Sequence, residues 1–274
     1  MTRPLVMGVV NVTPDSFSDG GAWFDAGAAV AHGRKLAAEG ADLIDVGGES
    51  TRPGAQRPDA AEELRRVVPV VSALAAEGLA VSVDTMRAEV AAQALAVGAR
   101  VVNDVSGGLA DPEMAGVVAG SGADFVAMHW RGHSADMQSR AVYDDVVAQV
   151  RDELLERVAA LTSAGVDQAR IVLDPGLGFA KSPEHNWAVL RGLDGIIGLG
   201  HRVLLGTSRK HFLGLVGRGA QPARVPLARD TATAVTSAYA ADAGVWAVRV
   251  HDVPGTIDAL DVWAAWHGPS EESM

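Results

Sequence analysis

Acidic, amide and lysine side chains stand at the ends of several apolar runs in this sequence. Asp84 closes AVSVD, Asn103 lies in VVND, Asp174 closes IVLD, and Lys210 follows RVLLGTSR. A buried carboxylate is strongly destabilising unless it has hydrogen-bond partners, so such residues on separate runs indicate a shared site. Carboxylate and amide oxygens accept hydrogen bonds and a lysine donates them, which suits the N–H-rich edge of a guanidine-containing heterocycle. Taken singly, each residue also fits the capping of a turn.

Asn11, Arg249 and His251 form a second polar group. Arg249 and His251 are alternate residues of the last apolar run, WAVRVH, so their side chains face the same side of a strand. An Arg and a His beneath a covering helix would be costly to bury, which favours the open end of the strand. With Asn11 at the end of the first run, they suit a diphosphate and Mg²⁺, an ion that takes few protein oxygens and completes its shell with water and phosphate.

Two polar loops follow the first two apolar runs. Residues 13–23 are rich in turn formers but include the apolar Phe17, so they fit either an ordinary turn or a mobile lid over a site. Residues 50–58 contain two hydroxyls and Arg52, whose forked donors suit phosphate. They fit either an anion site or a surface turn with a solvated charge. The composition of each loop leaves its two interpretations open.

Some residues with chemical potential are assigned a structural role or left open. His129 ends the fifth run, and it fits a hydrogen-bonded structural residue as well as a functional one. Arg151, Arg157 and the acidic residues of the fifth helix are interpreted as a solvated face. The tryptophans of the last strand and helix are interpreted as packing residues: Trp246, Trp263 and Trp266.

Eight short apolar runs carry these polar residues, and segments of helical character separate them. Runs rich in Val, Ile and Leu without alternation are typical of parallel strands covered by helices on both faces. Strands that alternate with helices predict βαβ units, and eight such units close into a barrel whose active site lies at the carboxyl ends of its strands. The predicted fold is an α/β single-domain TIM (β/α)8 barrel over residues 1–268, with a flexible tail at residues 269–274.

Helix boundaries are predicted from capping and breaking residues. A helix is expected over residues 60–76. Asp111 and Ser182 each precede a proline, and a capping residue before proline predicts a helix start. The glycine-rich residues 217–222 interrupt the seventh helix, which predicts a short first piece, a surface loop and a second piece from about Asp230.

Composition limits the classes of function. The chain has 274 residues, 48% of them hydrophobic, enough for one domain with a substantial core. Its formal net charge of −11 lacks the basic field that draws proteins to nucleic acid, so no nucleic-acid partner is expected. The absence of cysteine excludes disulfides and thiolate chemistry and fits a cytoplasmic protein. The first apolar run is too short to span a membrane, so no membrane partner is expected.

Seven motifs occur in order between Met7 and Asp252: MGVVNVTPDSFSDGG, GGESTRPG, SVDT, VVNDVSGG, LDPGLGFAK, GTSRK and RVHDV. Together they resemble those of the dihydropteroate synthases, members of the pterin-binding barrel family. The resemblance implies a transferase of a group other than methyl, which joins (7,8-dihydropterin-6-yl)methyl diphosphate to 4-aminobenzoate and forms 7,8-dihydropteroate and diphosphate in folate biosynthesis. It also implies Mg²⁺ as cofactor, and sulfonamides as inhibitors that compete with 4-aminobenzoate.

Residue roles follow from this resemblance, position by position. The catalytic residues would be Asp84, Lys210, Arg249 and His251. The pterin would be held by Asp84, Asn103, Asp174, Lys210 and Arg249, and the diphosphate by Asn11, Arg52, Arg249 and His251, with Mg²⁺ on Asn11. The 4-aminobenzoate pocket would be bordered by Phe17, Thr51, Pro53, Phe179 and Ser208. Many relatives have a serine where this chain has His211, which leaves open whether His211 or a helix N-terminus receives the benzoate carboxylate.

The implied mechanism is a dissociative substitution. Diphosphate held by Mg²⁺, Arg and His is a good leaving group, because its developing charge meets fixed opposite charge. The remaining cation delocalises through the pterin toward N8, near Asp84, and the weakly nucleophilic aniline needs position and exclusion of water. We expect the diphosphate substrate to bind first. We also expect a homodimer through helices seven and eight, whose exposed apolar residues are expected to include Val235, Tyr239 and Trp263.

Three other functions are considered. An aldolase-like lyase would use Lys210 as a Schiff-base nucleophile, but it leaves Asn11 and Arg249 without a role. A corrinoid methyltransferase barrel would bind methyltetrahydrofolate and has no use for a diphosphate cluster. A binding-only paralogue would keep the barrel without turnover, and the complete polar set argues against it.

Overall fold

Eight parallel strands form a closed barrel in the order in which they occur along the chain. The computed structural model describes residues 2–13, 26–49, 57–133, 137–217 and 222–268. The strands are β1 (Leu5–Asn11), β2 (Leu43–Gly47), β3 (Val81–Asp84), β4 (Val101–Asp104), β5 (Asp124–Met128), β6 (Ile171–Asp174), β7 (Arg202–Leu205) and β8 (Ala247–Val250). The predicted TIM (β/α)8 barrel is confirmed. The tail predicted at residues 269–274 lies outside the described ranges and stays a prediction.

Helices alternate with these strands and cover the outside of the barrel. Within the described ranges they are α1 (Ala26–Ala38), α2 (Ala60–Ala76), α3 (Ala88–Ala96), α4 (Met114–Ser121), α5 (Val146–Ser163), α6 (Pro183–Arg191), α7 (Leu193–Ile197), α8 (Asp230–Ala243) and α9 (Val253–His267). The helix expected over residues 60–76 is confirmed as α2. In the part of the chain that the structure describes, no helix combines the length and the hydrophobicity needed to cross a lipid bilayer.

Side-chain caps test the two helix starts that were predicted before prolines. The Ser182 hydroxyl accepts a hydrogen bond from the backbone N–H of His185 at 3.2 Å and caps α6, as predicted. The start predicted at Asp111 is wrong, because α4 begins at Met114. Asp111 accepts from the backbone N–H of Glu113 at 3.0 Å, just before α4, and from that of Ala88 at 2.8 Å, where it caps α3. A short polar side chain satisfies whichever free N–H lies within reach, and the sequence does not specify which one that is.

The segment after β7 is interrupted, as its glycines predict. A 3₁₀ helix covers His211–Leu215, a second one covers Pro226–Arg229, and α8 follows directly. Residues 218–221 of the expected surface loop lie outside the described ranges.

Alternate residues of the strands fill the barrel interior. Successive side chains of a strand point to opposite faces, so one set enters the lumen and the other packs beneath the helices. The lumen set forms an apolar layer: Met7, Leu43, Val101, Val126, Val172, Leu204 and Ala247. Two residues further along four of these strands, the lumen positions are polar: Asp45, Asn103, Asp174 and Arg249. The strand register therefore carries these side chains to the carboxyl end of the barrel, where barrel enzymes have their sites.

The tryptophans of the last strand and helix differ in exposure. Trp263 is 6% exposed and its indole N–H donates to Asp242 at 2.5 Å, and Trp246 packs partly buried against the apolar lumen cluster, so both interpretations as packing residues are confirmed. Trp266 is 85% exposed, so the same interpretation is wrong for it.

Candidate active site at the carboxyl end of the barrel

Arg249 lies at the centre of a group of acidic and amide side chains in the lumen. Its Nε donates to Oδ2 of Asp45 at 2.6 Å, and its Nη2 donates to Oδ2 of Asp84 at 2.8 Å. The Nδ2 of Asn103 donates to the same Asp45 oxygen at 3.0 Å. Side chains from β2, β3, β4 and β8 therefore meet here, and we call these four residues the arginine cluster. Three of them, Asp84, Asn103 and Arg249, are predicted site residues.

Asp45, on β2, is a site residue to which the sequence alone assigned no role. It is fully buried, and its Oδ1 has no hydrogen-bond partner among the described residues. Because Oδ2 of Asp45 accepts from the NH₂ end of the Asn103 amide, the amide oxygen is left to accept from a ligand. The sequence nevertheless indicated a role for Asp45, because it stands two residues after Leu43, at a lumen position of an otherwise apolar strand.

Two carboxyl groups share one guanidinium in the arginine cluster. Burial raises the pKa of Asp84, the charge of Arg249 opposes that rise, and the nearby Asp45 adds to it. Burial lowers the pKa of Arg249, but the charges of Asp45 and Asp84 outweigh burial and raise it above its ordinary value. With both carboxylates ionised, the cluster has an excess of negative charge. That excess favours a ligand that brings N–H donors to this end of the barrel.

Asp174 and Lys210 face the same end of the barrel from β6 and from the segment after β7. The Oδ1 of Asp174 accepts from the backbone N–H of Gly176 at 2.7 Å, and Nζ of Lys210 donates to the carbonyl oxygen of Leu177. Burial raises the pKa of Asp174 and lowers the pKa of Lys210 to about 8, and each charge opposes the shift of the other. The pair supplies one acceptor and one donor at the edge of the lumen.

Gly206 lies beside three of these side chains. A Cβ atom at this position would lie 3.7 Å from Nζ of Lys210, 3.9 Å from Cβ of Arg249 and 4.0 Å from Oδ2 of Asp174. All three side chains therefore border one space. The structure thus brings together the whole predicted pterin set: Asp84, Asn103, Asp174, Lys210 and Arg249.

Ser208 and His251 form a second polar group beside this space. The backbone N–H of His251 donates to Oγ of Ser208 at 3.1 Å, and the same Oγ lies 2.9 Å from Nδ1 of His251. When the Oγ proton is donated to Nδ1, the ring proton of His251 lies on Nε2. A histidine with an Nε2–H group is a donor for an anionic ligand.

Asn11 ends β1, paired with Gly47 of β2. Its side chain is half-buried and makes no hydrogen bond to the residues that the structure describes. An amide oxygen without a partner among the described residues fits one ligand position of Mg²⁺, whose other positions are filled by water and phosphate. Across the described ranges, no group of three or more His, Asp or Glu side chains is arranged to hold a metal ion.

Four predicted site residues lie outside the described ranges: Phe17, Thr51, Arg52 and Pro53. Most of the two loops that carry them, residues 13–23 and 50–58, lies outside as well. The lid and the anion site assigned to these loops stay predictions.

Arg87 joins the two described ends of the second loop. Its Nη2 donates to the carbonyl oxygen of Pro58 at 2.6 Å, and its Nη1 lies 3.5 Å from Oε2 of Glu49. Nη1 also donates to Glu63, a fully buried residue of α2 that accepts from the Thr85 hydroxyl at 2.5 Å. Sequence reasoning missed Arg87 and Glu63, because the partners of each are distant in the sequence.

The described residues of the predicted 4-aminobenzoate pocket lie on the segments after β6 and β7. The Phe179 ring centroid is 4.9 Å from Nζ of Lys210, so this ring stands next to the pterin set. Ser208 is buried, whereas His211 is exposed at the start of the first 3₁₀ helix. The neighbouring Arg209 adopts the left-handed φ of 58° and is held by Asp230 through hydrogen bonds of 2.7 and 2.8 Å. Such a conformation persists only where surrounding contacts impose it.

His129 is buried and is hydrogen-bonded through both ring nitrogens. Its Nδ1 lies 3.0 Å from Nζ of Lys181, and its Nε2 lies 2.9 Å from Oε2 of Glu153 on α5. Burial, followed by the charge of Lys181, lowers the pKa of His129 to about 4, so the ring is neutral at neutral pH. The solvated face assigned to the fifth helix is wrong for Glu153, and also for Arg157, which donates to the carbonyl oxygen of Gly107 at 3.2 Å.

Fold and site together define a (β/α)8-barrel enzyme that binds a heterocycle at the carboxyl ends of its strands. Residues 7–251 match the family described as pterin binding enzyme. The chain belongs to the pterin-binding enzyme family, as its seven motifs predict.

Three similar proteins of this family are dihydropteroate synthases. Dihydropteroate synthase of Mycobacterium leprae is 56% identical over 273 residues, which cover 98% of this chain and 96% of that protein. Dihydropteroate synthase of Xanthomonas albilineans, solved with 4-aminobenzoic acid, is 46% identical with a TM-score of 0.89 and covers 97% of this chain and 94% of its own. The Yersinia pestis dihydropteroate synthase, solved as a sulfonamide drug complex, is 36% identical with a TM-score of 0.89 over 97% of this chain and 94% of its own.

Proposed function

We infer that this chain is a transferase that synthesises 7,8-dihydropteroate. It joins the methylene carbon of (7,8-dihydropterin-6-yl)methyl diphosphate to the amino nitrogen of 4-aminobenzoate and releases diphosphate, a step of folate biosynthesis. The observation that carries this inference is the arginine cluster beside Asp174 and Lys210. It occurs in a chain that is 56% identical to a dihydropteroate synthase over 98% of its length.

The pterin fits the arginine cluster and the Asp174–Lys210 pair by hydrogen-bond complementarity. The carboxylate of Asp174 and the amide oxygen of Asn103 accept from the N–H groups of its guanidine-like edge, and Lys210 donates to its carbonyl or to a ring nitrogen. The planar guanidinium of Arg249 lies against the ring face, a contact that suits Arg. Asp84 then stands near N8, where positive charge develops.

The diphosphate fits the side of the site that contains Asn11 and His251. The Nε2–H group of His251 donates to a phosphate oxygen, and Asn11 contributes one oxygen ligand to Mg²⁺. When bound, Mg²⁺ neutralises charge on the departing diphosphate. Arg52 and the remaining donors of Arg249 complete the anion site in this proposal.

The reaction proceeds by dissociative substitution. The C–O bond to the diphosphate breaks first, and the resulting cation is delocalised through the pterin toward N8, where Asp84 provides opposite charge. The amino nitrogen of 4-aminobenzoate, held beside Phe179 and Ser208, then forms the C–N bond, and the proton that it loses passes to the released diphosphate. His211 or a backbone N–H group receives the carboxylate. The diphosphate substrate binds first, because its departure generates the group that the amine attacks.

One assay tests this function directly. Diphosphate release from the pterin substrate is measured with and without 4-aminobenzoate and with and without Mg²⁺. Dihydropteroate formation in a 1:1 ratio with diphosphate, dependent on both additions, is the expected result. Tight binding of both substrates without product would indicate a binding-only protein. Tight binding of methyltetrahydrofolate without any requirement for diphosphate would indicate a methyltransferase barrel.

Sulfonamides are proposed to inhibit by occupying the 4-aminobenzoate pocket. The Yersinia pestis relative has been solved with a sulfonamide drug. Inhibition should be relieved completely by saturating 4-aminobenzoate. Inhibition that saturating 4-aminobenzoate does not relieve would contradict the assignment of this pocket.

We propose that the protein forms a homodimer through α8 and α9, the helices that follow β7 and β8 and that the sequence prediction numbered seven and eight. A groove of about 530 Å³ lies between these helices, and four of the apolar side chains along it are exposed. The exposed fractions are 50% for Val235, 72% for Tyr239, 67% for Val262 and 85% for Trp266. Trp263, expected to be exposed, is buried at 6%, so Trp266 replaces it on this face. Apolar residues contiguous on one face are typical of an interface.

The dimer is tested by light scattering after size exclusion. Tyr239→Glu should convert a dimer into a monomer, because it places a charge at the centre of the apolar face. Leu155→Glu is the matched control, since Leu155 is 40% exposed but lies on α5, away from this face. A parent protein that is monomeric at micromolar concentration would refute the proposal.

We also propose that the protein acts in the cytoplasm. A chain without cysteine has no disulfide to lose in a reducing compartment. Cell fractionation with an antibody against the chain tests this location, and recovery in the membrane or secreted fraction would contradict it.

A further inference from the structure

We propose that Lys181 is a positioning residue for the 4-aminobenzoate side of the site, and that His129 and Glu153 hold it in place. Lys181 is 3% exposed. Its Nζ lies 3.1 Å from the carbonyl oxygen of Gly176, 3.3 Å from that of Phe179 and 3.0 Å from Nδ1 of His129. Three acceptors thus match the three N–H groups of an ammonium. A buried lysine with all of its donors used fixes the groups around it.

The loop that Lys181 contacts, residues 175–181, is called the β6 loop. Its first half is anchored by Asp174, which accepts from the backbone N–H of Gly176 at 2.7 Å, and by Asn186, which accepts from that of Gly178 at 2.6 Å. The second half is held by Lys181 and by Tyr143, whose hydroxyl donates to the carbonyl oxygen of Ala180 at 2.9 Å. Loss of the Lys181 contacts should therefore release the second half more than the first.

The second half of the β6 loop contains a strained residue. Ala180 has a left-handed φ of 45°, which is unfavourable for a residue with a Cβ atom. Hydrogen bonds to the carbonyl oxygens of Phe179 and Ala180, from Lys181 and Tyr143, stabilise this conformation. The same backbone sets the direction of the Phe179 ring. Without these contacts the ring would leave its place beside Lys210.

His129 links Lys181 to helix α5. The neutral ring accepts from Lys181 at Nδ1 and donates from Nε2 to Glu153, which also accepts from Nε of Arg131 at 3.1 Å. Although burial opposes it, hydrogen bonding by His129 and Arg131 lowers the pKa of Glu153 to about 2, so the carboxylate stays ionised. His129 is thus held in the tautomer that accepts at Nδ1.

The charged groups around Lys181 are mixed in sign. Burial lowers the pKa of Lys181 to about 7, Asp174 and Glu153 oppose this change, and Lys210 and Arg131 add to it. Lys181 is therefore close to losing its proton near neutral pH, and its hydrogen bonds are expected to weaken above that pH.

The first test is Lys181→Met. Methionine keeps the unbranched apolar stem of lysine but ends at Cε without the three N–H groups, so most of the buried space stays filled. The KM for 4-aminobenzoate should rise about ten-fold, because hydrogen bonds to a charged group are lost. The KM for the pterin substrate should stay within about two-fold, since the arginine cluster is untouched. The control is Lys35→Met, at an exposed lysine of α1, with both KM values unchanged.

A matched pair at His129 separates positioning from a general structural role. His129→Asn places an oxygen near the position of Nδ1 and keeps an acceptor for Lys181. His129→Gln places its amide near the position of Nε2 and keeps the contact with Glu153. We expect His129→Gln to raise the KM for 4-aminobenzoate about as much as Lys181→Met, and His129→Asn to raise it less than about three-fold. Equal effects of the two variants would overturn the proposal.

This inference rests on the proposed assignment of Phe179 to the 4-aminobenzoate pocket, so Phe179→Ala is measured in parallel. If Phe179→Ala leaves the KM for 4-aminobenzoate unchanged, the pocket assignment fails, and the positioning role fails with it. If Phe179→Ala raises that KM and neither Lys181→Met nor His129→Gln does, the pocket assignment stands and the role of Lys181 is refuted. Should Lys181→Met fail to fold, the His129 pair decides the outcome.

Discussion

The two sides of the site are built in different ways. The proposed pterin side consists mainly of strand residues, such as Asp84, Asn103 and Arg249, and the barrel register places them directly. The proposed 4-aminobenzoate side consists of residues on loops, such as Phe179 and Ser208, which need contacts from other segments to stay in place. Substitutions in the rigid strands and in the supported loops should therefore have different consequences. Substitutions on the first side should alter charge and hydrogen bonding, and substitutions on the second should alter placement.

Asp84→Asn should have the largest effect. It removes the negative charge near N8 but keeps the volume of the side chain, so kcat/KM should fall at least about 100-fold. Steady-state kinetics measure this loss. A fall of less than about ten-fold would show that the strand-built side does not act through the charge of Asp84.

The same variant should not be destabilised. Folding raises the pKa of Asp84, so the folded state binds this proton more tightly, and the parent loses stability as pH rises from the ordinary carboxyl range toward neutrality. Asparagine cannot ionise, and Arg249 keeps its hydrogen bond to Asp45. At pH 8 the melting temperature of Asp84→Asn should therefore equal or exceed that of the parent. A clearly lower melting temperature would contradict the excess of negative charge inferred for the arginine cluster.

Asp45→Asn should have the second largest effect. It removes the carboxylate that orients both the Asn103 amide and Arg249, so the affinity for a pterin ligand should fall about ten-fold. Asp124→Asn is the matched control, because Asp124 also pairs with an arginine, Arg202, at 2.8 Å but lies at the opposite end of the barrel. Calorimetric titration measures both variants. Equal losses would show that any disrupted Asp–Arg pair weakens binding.

Pterin binding should have a bell-shaped dependence on pH. Protonation of Asp84 removes its negative charge at a pH above the ordinary aspartate range, because burial raises its pKa. Loss of the Lys210 proton, with a pKa lowered to about 8, weakens donation to the pterin on the alkaline side. Each limb should approach about ten-fold per pH unit beyond the corresponding pKa. A flat profile between pH 5 and 9 would contradict the roles of both groups.

Ser208→Ala should have the smallest effect. Without Oγ, Nδ1 of His251 loses its partner and the Nε2–H tautomer is no longer favoured, so kcat should fall about five-fold. Ser208→Thr keeps the hydroxyl and should restore most of the activity. If alanine and threonine behave alike, orientation of His251 by the hydroxyl is ruled out.

The parts of the molecule that follow from periodicity could be predicted from the sequence. Continuous apolar runs specify buried parallel strands, and a polar residue at the end of a run, such as Asp174, specifies the site. Asp45 could have been predicted in the same way, because it lies two residues after Leu43 and is therefore a lumen residue.

Contacts between distant segments could not be predicted in this way. Lys181 acquires its role from His129 and from backbone carbonyls of its own loop, and Asp111 caps a helix that precedes it in the chain. The exposure of Trp266 likewise depends on where α9 lies against α8. These features depend on distances in space, and a linear pattern does not contain them.

Crossed binding measurements test the difference between the two sides most directly. Dissociation constants for a pterin ligand, and for 4-aminobenzoate in the presence of Mg²⁺ and diphosphate, are measured for Asp45→Asn and for Lys181→Met. We predict that Asp45→Asn weakens the pterin about ten-fold and 4-aminobenzoate less than about two-fold, with the reverse pattern for Lys181→Met. If each variant weakens both ligands to the same extent, the two sides are one cooperative unit, and their separate construction from strands and loops has no functional meaning.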